Sequence, residues 1–156
     1  MVTVTTGQKA PGFSAKDQNG NKVSLSQFKG QKVVLYFYPE DDTPTCTDQA
    51  CNLRDNFSEL KKEGITVLGV SPDEVAKHKK FEAKFNLPFT LLADPKHDII
   101  DKYGVWGPKQ MFGNKYMGLL RTTFLIDEKG VIRKIFLKPK SKHHTEEILK
   151  SWKELA

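Results

Sequence analysis

The chain has 156 residues, 38% of them hydrophobic and 28% charged, and a formal net charge of +6. A core of that size is stable without staples, so the two cysteines, Cys46 and Cys51, are not needed to hold it together. No apolar run approaches the ~20 residues of a membrane helix, and residues 1–7 lack the basic start and apolar stretch of a secretion signal. A cytoplasmic protein without a membrane anchor is therefore expected, in a compartment that keeps thiols reduced.

Taken in chain order, residues 13–16 and 22–25 flank Asp17-Gln18-Asn19-Gly20, a hairpin signal because Asn-Gly tolerates positive φ. Residues 33–38, Val-Val-Leu-Tyr-Phe-Tyr, read as a buried strand. Residues 48–62 read as a helix with Leu53, Phe57 and Leu60 at helical spacing, stopped at Gly64. A strand over residues 65–70 and a helix over 73–86, with Val75, Phe81 and Phe85 inward, come next. Residues 89–93, 122–126 and 131–137 read as further strands, the last two joined by a turn at Glu128-Lys129-Gly130. An amphipathic helix over 145–155 closes the chain.

This alternation predicts one α/β domain over residues 1–156, with a mixed central sheet flanked by helices on both faces. The first two strands should run parallel through a right-handed crossover. Element order is that of a thioredoxin-like fold with an N-terminal β-hairpin extension and extra material between residues 94 and 121.

The basic excess lies in the second half: residues 1–78 carry a net −1 and residues 79–156 a net +7. Of the 25 cations only Arg54, Arg121 and Arg133 are arginine, whereas nucleic-acid readers lean on the planar guanidinium. A dispersed lysine surface is expected, with no nucleic-acid partner. The rival is a polyanion-binding module, whose binding falls steeply with salt and survives loss of Cys46.

Cys46 falls just past the C-terminal end of the first central strand, the edge where open α/β sheets hold ligands. Thr43 suits a helix N-cap and Pro44 the first helical position, which puts Cys46 at the third. A sulfur there sits among unpaired backbone N–H groups, which favour thiolate and lower the pKa from its usual ~8.5. The neighbouring threonines, Asp48 and Pro44 do not describe a core position. On an intact helix the Cα atoms of residues i and i+5 lie roughly 8–9 Å apart, beyond the roughly 6.8 Å limit for a disulfide. Cys46 and Cys51 therefore either never bond or bond only when the first turns unwind. Thr45, Thr47 and Asp48 hold a helix loosely, so residues 44–52 are expected to form a redox switch, helical when reduced and melted when oxidised.

Zinc sites want cysteines two to four residues apart and further ligands. His78, His97, His143 and His144 do not supply that spacing, so no metal is expected. Nor does the sequence place a histidine base beside Cys46 for a cysteine protease or acyl transferase.

Pro39, Thr43 and Cys46 form the P-x-x-x-T-x-x-C signature of the peroxiredoxins. The segment from Thr47 through Cys51 to Asp55, with Tyr103-Gly104-Val105-Trp106-Gly107 and Arg121-Thr122-Thr123-Phe124-Leu125-Ile126-Asp127, resembles the PrxQ or bacterioferritin comigratory protein branch. The resemblance runs from about Lys9 to the end. It implies an antioxidant thiol peroxidase for hydrogen peroxide and organic hydroperoxides, with no cofactor. Cys46 would be the peroxidatic cysteine and Cys51 the resolving one, forming an intramolecular disulfide that thioredoxin or a similar dithiol reduces. Thr43 would hold thiolate and peroxide, Pro39 would shield the sulfur, and Arg121 would bring a guanidinium. An internal resolving cysteine needs no second subunit, so a monomer is expected.

Three positions depart from the commonest family pattern: Thr45 where glycine is frequent, Thr122 for serine, and Gly12 for aspartate. A disulfide reductase on the same fold would use C-x-x-C and a cis-proline; this chain has C-x4-C and Arg121-Thr122-Thr123. Residues 105–120, rich in Gly, Met and aromatics, read equally as a mobile wall of the peroxide and reductant site or as core cover.

Overall fold

The run Val33-Val34-Leu35-Tyr36-Phe37-Tyr38 has no polar face, so it needs cover on both sides. In the computed structural model, which describes residues 2–156, it forms the central strand β3 (Lys32–Phe37). Val33, Leu35 and Phe37 enter one core with Phe124, Ile99, Ile100 and Tyr103. Val34, Tyr36 and Tyr38 enter the other with Leu53, Phe81, Leu91, Ile148 and Trp152. Each fully buried Leu, Val or Phe stabilises by about 1.5–3 kcal/mol, so this one strand ties two cores together.

The remaining elements are β1 (Ser14–Asp17), β2 (Lys22–Ser24), a 3-10 turn (Leu25–Phe28), α1 (Pro44–Asp55), α2 (Phe57–Lys62), β4 (Ile65–Ser71), α3 (Val75–Phe85), β5 (Thr90–Ala93), α4 (Asp98–Tyr103), β6 (Trp106–Met111), β7 (Asn114–Leu119), β8 (Thr122–Ile126), β9 (Ile132–Phe136) and α5 (His144–Leu155). The main sheet has the order β2-β1-β5-β4-β3-β8-β9. β3 pairs parallel with β4 and antiparallel with β8, so the expected mixed thioredoxin-like sheet with an N-terminal hairpin is present. Where β4 passes Tyr36, a Cβ on Gly69 would lie 2.9 Å from the ring carbon Cζ, so only glycine admits the aromatic ring there.

Two expectations change. The helix expected over 48–62 begins at Pro44 and breaks at Asn56 (φ −113°, ψ 15°), giving α1 and α2. Asn56 Nδ2 donates to the Asn52 carbonyl at 2.8 Å, taking the acceptor that a continuing helix offers the Asn56 N–H. Residues 105–120 form mainly the β6–β7 hairpin, a separate two-stranded sheet. Val105 and Leu119, at its base, join the core, while Phe112 and Met117 stand exposed. Its turn needs positive φ at Phe112 (53°) and Gly113 (81°). The phenylalanine masks that turn in the sequence.

The N-terminus of α5 is fixed to β8 through a buried polar chain. Glu147 Oε1 accepts from the Lys140 N–H (2.7 Å) and faces His144 Nδ1 (3.1 Å); His144 Nε2 faces Thr123 Oγ1 (2.9 Å). A carboxylate only accepts, so Nδ1 carries the proton and Nε2 accepts from the threonine. Burial pushes the His144 pKa below its usual 6.5; Glu147 opposes that shift and Arg121 adds slightly to it. Thr123, Glu147, Arg121 and the ring of Phe136 are the groups that act on it. The unfolded chain therefore binds the proton more readily, and stability is complete above pH ~6.5 and declines as pH falls toward the lowered value. Urea midpoints should fall between about pH 7.5 and 5, with a shallower fall in His144→Gln. Equal slopes in the two proteins would contradict this.

Candidate active site

α1 starts where β3 ends, at the carboxyl edge of the sheet. Thr43 is its N-cap (φ −92°, ψ 158°), Pro44 occupies the first helical position, and Cys46 therefore takes the third. The Thr43 side chain does not cap the helix as its position suggests. Its Oγ1 donates to the Glu40 carbonyl at 3.2 Å, which folds the preceding loop back on itself. Pro39 is half-buried at the head of that loop.

The loop is pinned from below. Tyr38 OH donates to Asp41 Oδ1 (2.6 Å), Asp41 Oδ2 meets His78 Nδ1 (2.6 Å), and the Asp41 N–H donates to Asp73 Oδ2 (2.7 Å). His78 Nε2 faces the Leu92 carbonyl at 2.9 Å and must donate to it. Asp41, Asp73 and His78 come close enough to suggest a metal site, but their nearest atoms are already engaged with one another and with the loop.

Cys46 is 1% exposed and packs in the core with Tyr36, Tyr38, Ala50 and Leu53. The expectation that its surroundings exclude a core position is corrected. Polar neighbours in sequence face outward, because the helix turns the sulfur toward β3. What separates Cys46 from an inert buried thiol is Arg121, just before β8. Its Nη2 donates to Cys46 Sγ at 3.2 Å and its Nη1 to Gln49 Oε1 at 2.8 Å. Gln49 is fully buried and lies one helical turn beyond Cys46, so both groups meet the two-pronged guanidinium from one face of α1. Sequence reading missed Gln49, although its i+3 spacing from Cys46 was the available signal. A neutral amide orients Arg121 without cancelling its charge.

A model of the AhpC/TSA family matches residues 6–135. The chain belongs to that family. Over 156 residues, all of both chains, it is 46% identical to the peroxiredoxin Bcp of Escherichia coli K12. A PrxQ mutant of Xylella fastidiosa matches its structure with a TM-score of 0.91 at 28% identity, covering 99% and 98% of the two chains. The bacterioferritin comigratory protein of Xanthomonas campestris, a structure described for alkyl peroxide reduction, matches with a TM-score of 0.85 at 30% identity, covering 91% and 90%.

This peroxiredoxin is thus a thiol-dependent peroxidase, acting on a hydroperoxide and drawing electrons from a thiol reductant. Its two cysteines are unbonded, Cys46 buried and Cys51 partly so. Burial pushes the Cys51 thiol up; Arg54 opposes this, while Asp55 and Asp48 add to it. Cys51 therefore stays protonated at neutral pH and competes little for peroxide. Lys109, on β6, is a second residue missed from sequence. Partial burial and the Arg121 charge hold its ammonium below the usual lysine range, and the Cys46 sulfur acts in the opposite direction. The hairpin thus adds a cation to the field around the peroxiredoxin thiol. Among the described residues no helix is long and apolar enough to cross a membrane.

Proposed function

We propose that Cys46 is the peroxidatic nucleophile and Cys51 the resolving thiol of an intramolecular cycle. Its thiolate attacks one peroxide oxygen: an S–O bond forms, the O–O bond breaks, and the leaving oxygen departs as water or an alcohol after taking a proton. Cys51 then attacks the sulfenic sulfur, the S–O bond breaks, and hydroxide leaves as water with the Cys51 proton. An external dithiol reduces the disulfide and is itself oxidised. The observation that carries this reading is the 3.2 Å contact between Arg121 Nη2 and Cys46 Sγ.

Lowering a thiol pKa is not enough to make a fast peroxidase. A drop from ~8.5 to ~6 raises the thiolate fraction at pH 7 about thirtyfold, but a Brønsted slope of ~0.45 takes back about thirteenfold in nucleophilicity. The remaining rate must come from donors aimed at the charge that develops on the peroxide oxygens. Arg121 supplies them, together with the N–H groups of Thr45 and Cys46. Thr43 joins when its hydroxyl turns from the Glu40 carbonyl toward the substrate, and Pro39 shields the sulfur from bulk water.

The reading extends to organic hydroperoxides, supported by the Xanthomonas campestris relative, and to thioredoxin or a similar dithiol as reductant. The protein works as a cytoplasmic monomer, one domain over residues 1–156, with no nucleic-acid partner. The test is consumption of hydrogen peroxide and of cumene hydroperoxide in a thioredoxin-coupled assay, with gel filtration at working concentration. Turnover of both peroxides by a monomer is expected. Turnover with a monothiol donor but none with thioredoxin would overturn the dithiol assignment.

A further inference from the structure

Polar anchors divide α1 into two unequal halves, and the division falls between Cys51 and Asn52. Asn52 is bonded to the start of α5 by its whole amide. Its Nδ2 donates to the Lys142 carbonyl at 2.9 Å, and its Oδ1 accepts from both the Thr145 N–H and Thr145 Oγ1, each at 2.8 Å. Thr145 Oγ1 also lies 3.3 Å from the Asn52 carbonyl. His143, the N-cap of α5, makes no side-chain cap bond. Asn52 thus satisfies, from another helix, an orphan N–H in the first turn of α5. Two residues on, Arg54 Nη1 donates to the Phe85 carbonyl at 2.8 Å, fastening the same half to the end of α3.

Among the described residues, 44–51 make no side-chain hydrogen bond to another helix, and their polar tie is to Arg121 alone. Their interior contacts are the small side chains of Cys46 and Ala50 and the amide of Gln49, with Arg121 as the shared polar partner of Cys46 and Gln49. Unwinding them takes only two small apolar side chains, Cys46 and Ala50, out of the second core. Unwinding further would expose Leu53, which is fully buried, and break the Asn52 clamp. The post to which the clamp is tied is itself anchored, because the His144 chain joins the start of α5 to β8, the strand that follows Arg121.

We propose that Asn52 is a positioning residue for the disulfide step: its clamp on Thr145 and Lys142 stops the unwinding of α1 and holds Cys51 as a stationary receiver toward which Cys46 moves. The inference rests on Cys51 being the resolving thiol. Resolution competes with attack of a second peroxide on the sulfenic acid, which gives sulfinic acid. Freeing the receiver lowers the local concentration of Cys51 at the sulfenic sulfur, so the balance shifts toward sulfinic acid.

The experiment titrates reduced protein with hydrogen peroxide and reads the ratio of disulfide to sulfinic acid by intact mass. Thr145→Val removes the hydroxyl from the α5 side and leaves the sequence of α1 unchanged; Asn52→Ala removes the amide; Thr145→Ser keeps the hydroxyl. Sulfinic acid should appear at about tenfold lower peroxide in Asn52→Ala, and at an intermediate level in Thr145→Val, with Thr145→Ser like the parent. Amide exchange of the parent gives a second readout that does not depend on any variant. The Thr145 N–H, bonded to Asn52 Oδ1, should stay as protected in the disulfide form as in the thiol form.

An unchanged ratio in Asn52→Ala, a ratio shifted toward disulfide, or loss of Thr145 protection on oxidation would each overturn the inference. If the parent protein itself formed no Cys46–Cys51 disulfide, the resolving-thiol reading would fail as well.

Discussion

Arg121→Ala should lower the second-order rate constant for peroxide by about 10²–10³-fold. The loss should appear in a single turnover of the reduced protein, followed by stopped flow, where no reductant contributes. The guanidinium is the charged group bonded directly to the Cys46 sulfur, and Gln49 holds its second nitrogen. On the proposed mechanism, removing it takes away both the cation beside the Cys46 sulfur and a donor for the developing peroxide charge. For a thiol pKa difference of about 2.5 units, ~8.5 against ~6, ionisation and nucleophilicity together alter the rate at pH 7 by only about two- to threefold, so measuring the rate across pH separates the two effects. Arg121→Lys keeps the charge but not the two-pronged geometry and should recover only part of the loss. A rate within about threefold of the parent would exclude transition-state stabilisation by Arg121.

Replacing Cys51 tests the other half of the cycle. Cys51→Ser should react with its first equivalent of peroxide at nearly the parental rate, because burial keeps the Cys51 thiol protonated and out of that step. Turnover with a dithiol reductant should then fall by about 10² or more, since the route through an internal disulfide is closed. The enzyme should accumulate sulfenic acid and, with excess peroxide, sulfinic acid. Parental turnover in Cys51→Ser would show that the reductant attacks the sulfenic acid directly and that Cys51 has no part in the cycle.

The sequence made the site legible where residue chemistry and spacing coincide. A buried strand with no polar face, followed by Thr43-Pro44 and a cysteine at the third helical position, placed Cys46 correctly at the carboxyl edge of the sheet. Arg121 was found through its motif, and the structure brings it to the sulfur across 75 positions of chain. The burial of Cys46 was misread, because polar neighbours at i±1 face outward on a helix and say nothing of the inner face.

Lys109 and the Asn52 clamp were not visible for a common reason, which also hid the partner of Gln49, a residue marked only by its i+3 spacing from Cys46. Each acts through a partner distant in sequence, and none is an unusual residue in its local context. The same holds for the Asp41–His78 pair under the loop that precedes α1. The β6–β7 hairpin was hidden by a phenylalanine at positive φ and by Pro108 within a strand, both against the usual turn and strand preferences. The break at Asn56 turns on one side-chain bond to a carbonyl four residues back, which no periodicity can reveal.

The central claim is that Cys46 is oxidised by peroxide and that Cys51 resolves it within one chain. The most direct measurement is the intact mass of reduced protein after one equivalent of hydrogen peroxide, followed by non-reducing peptide mapping. The account predicts a loss of about 2 Da, two hydrogens, carried by a peptide pair that joins Cys46 to Cys51. A gain of oxygen on Cys51 with Cys46 untouched, or a disulfide between two chains, would contradict it.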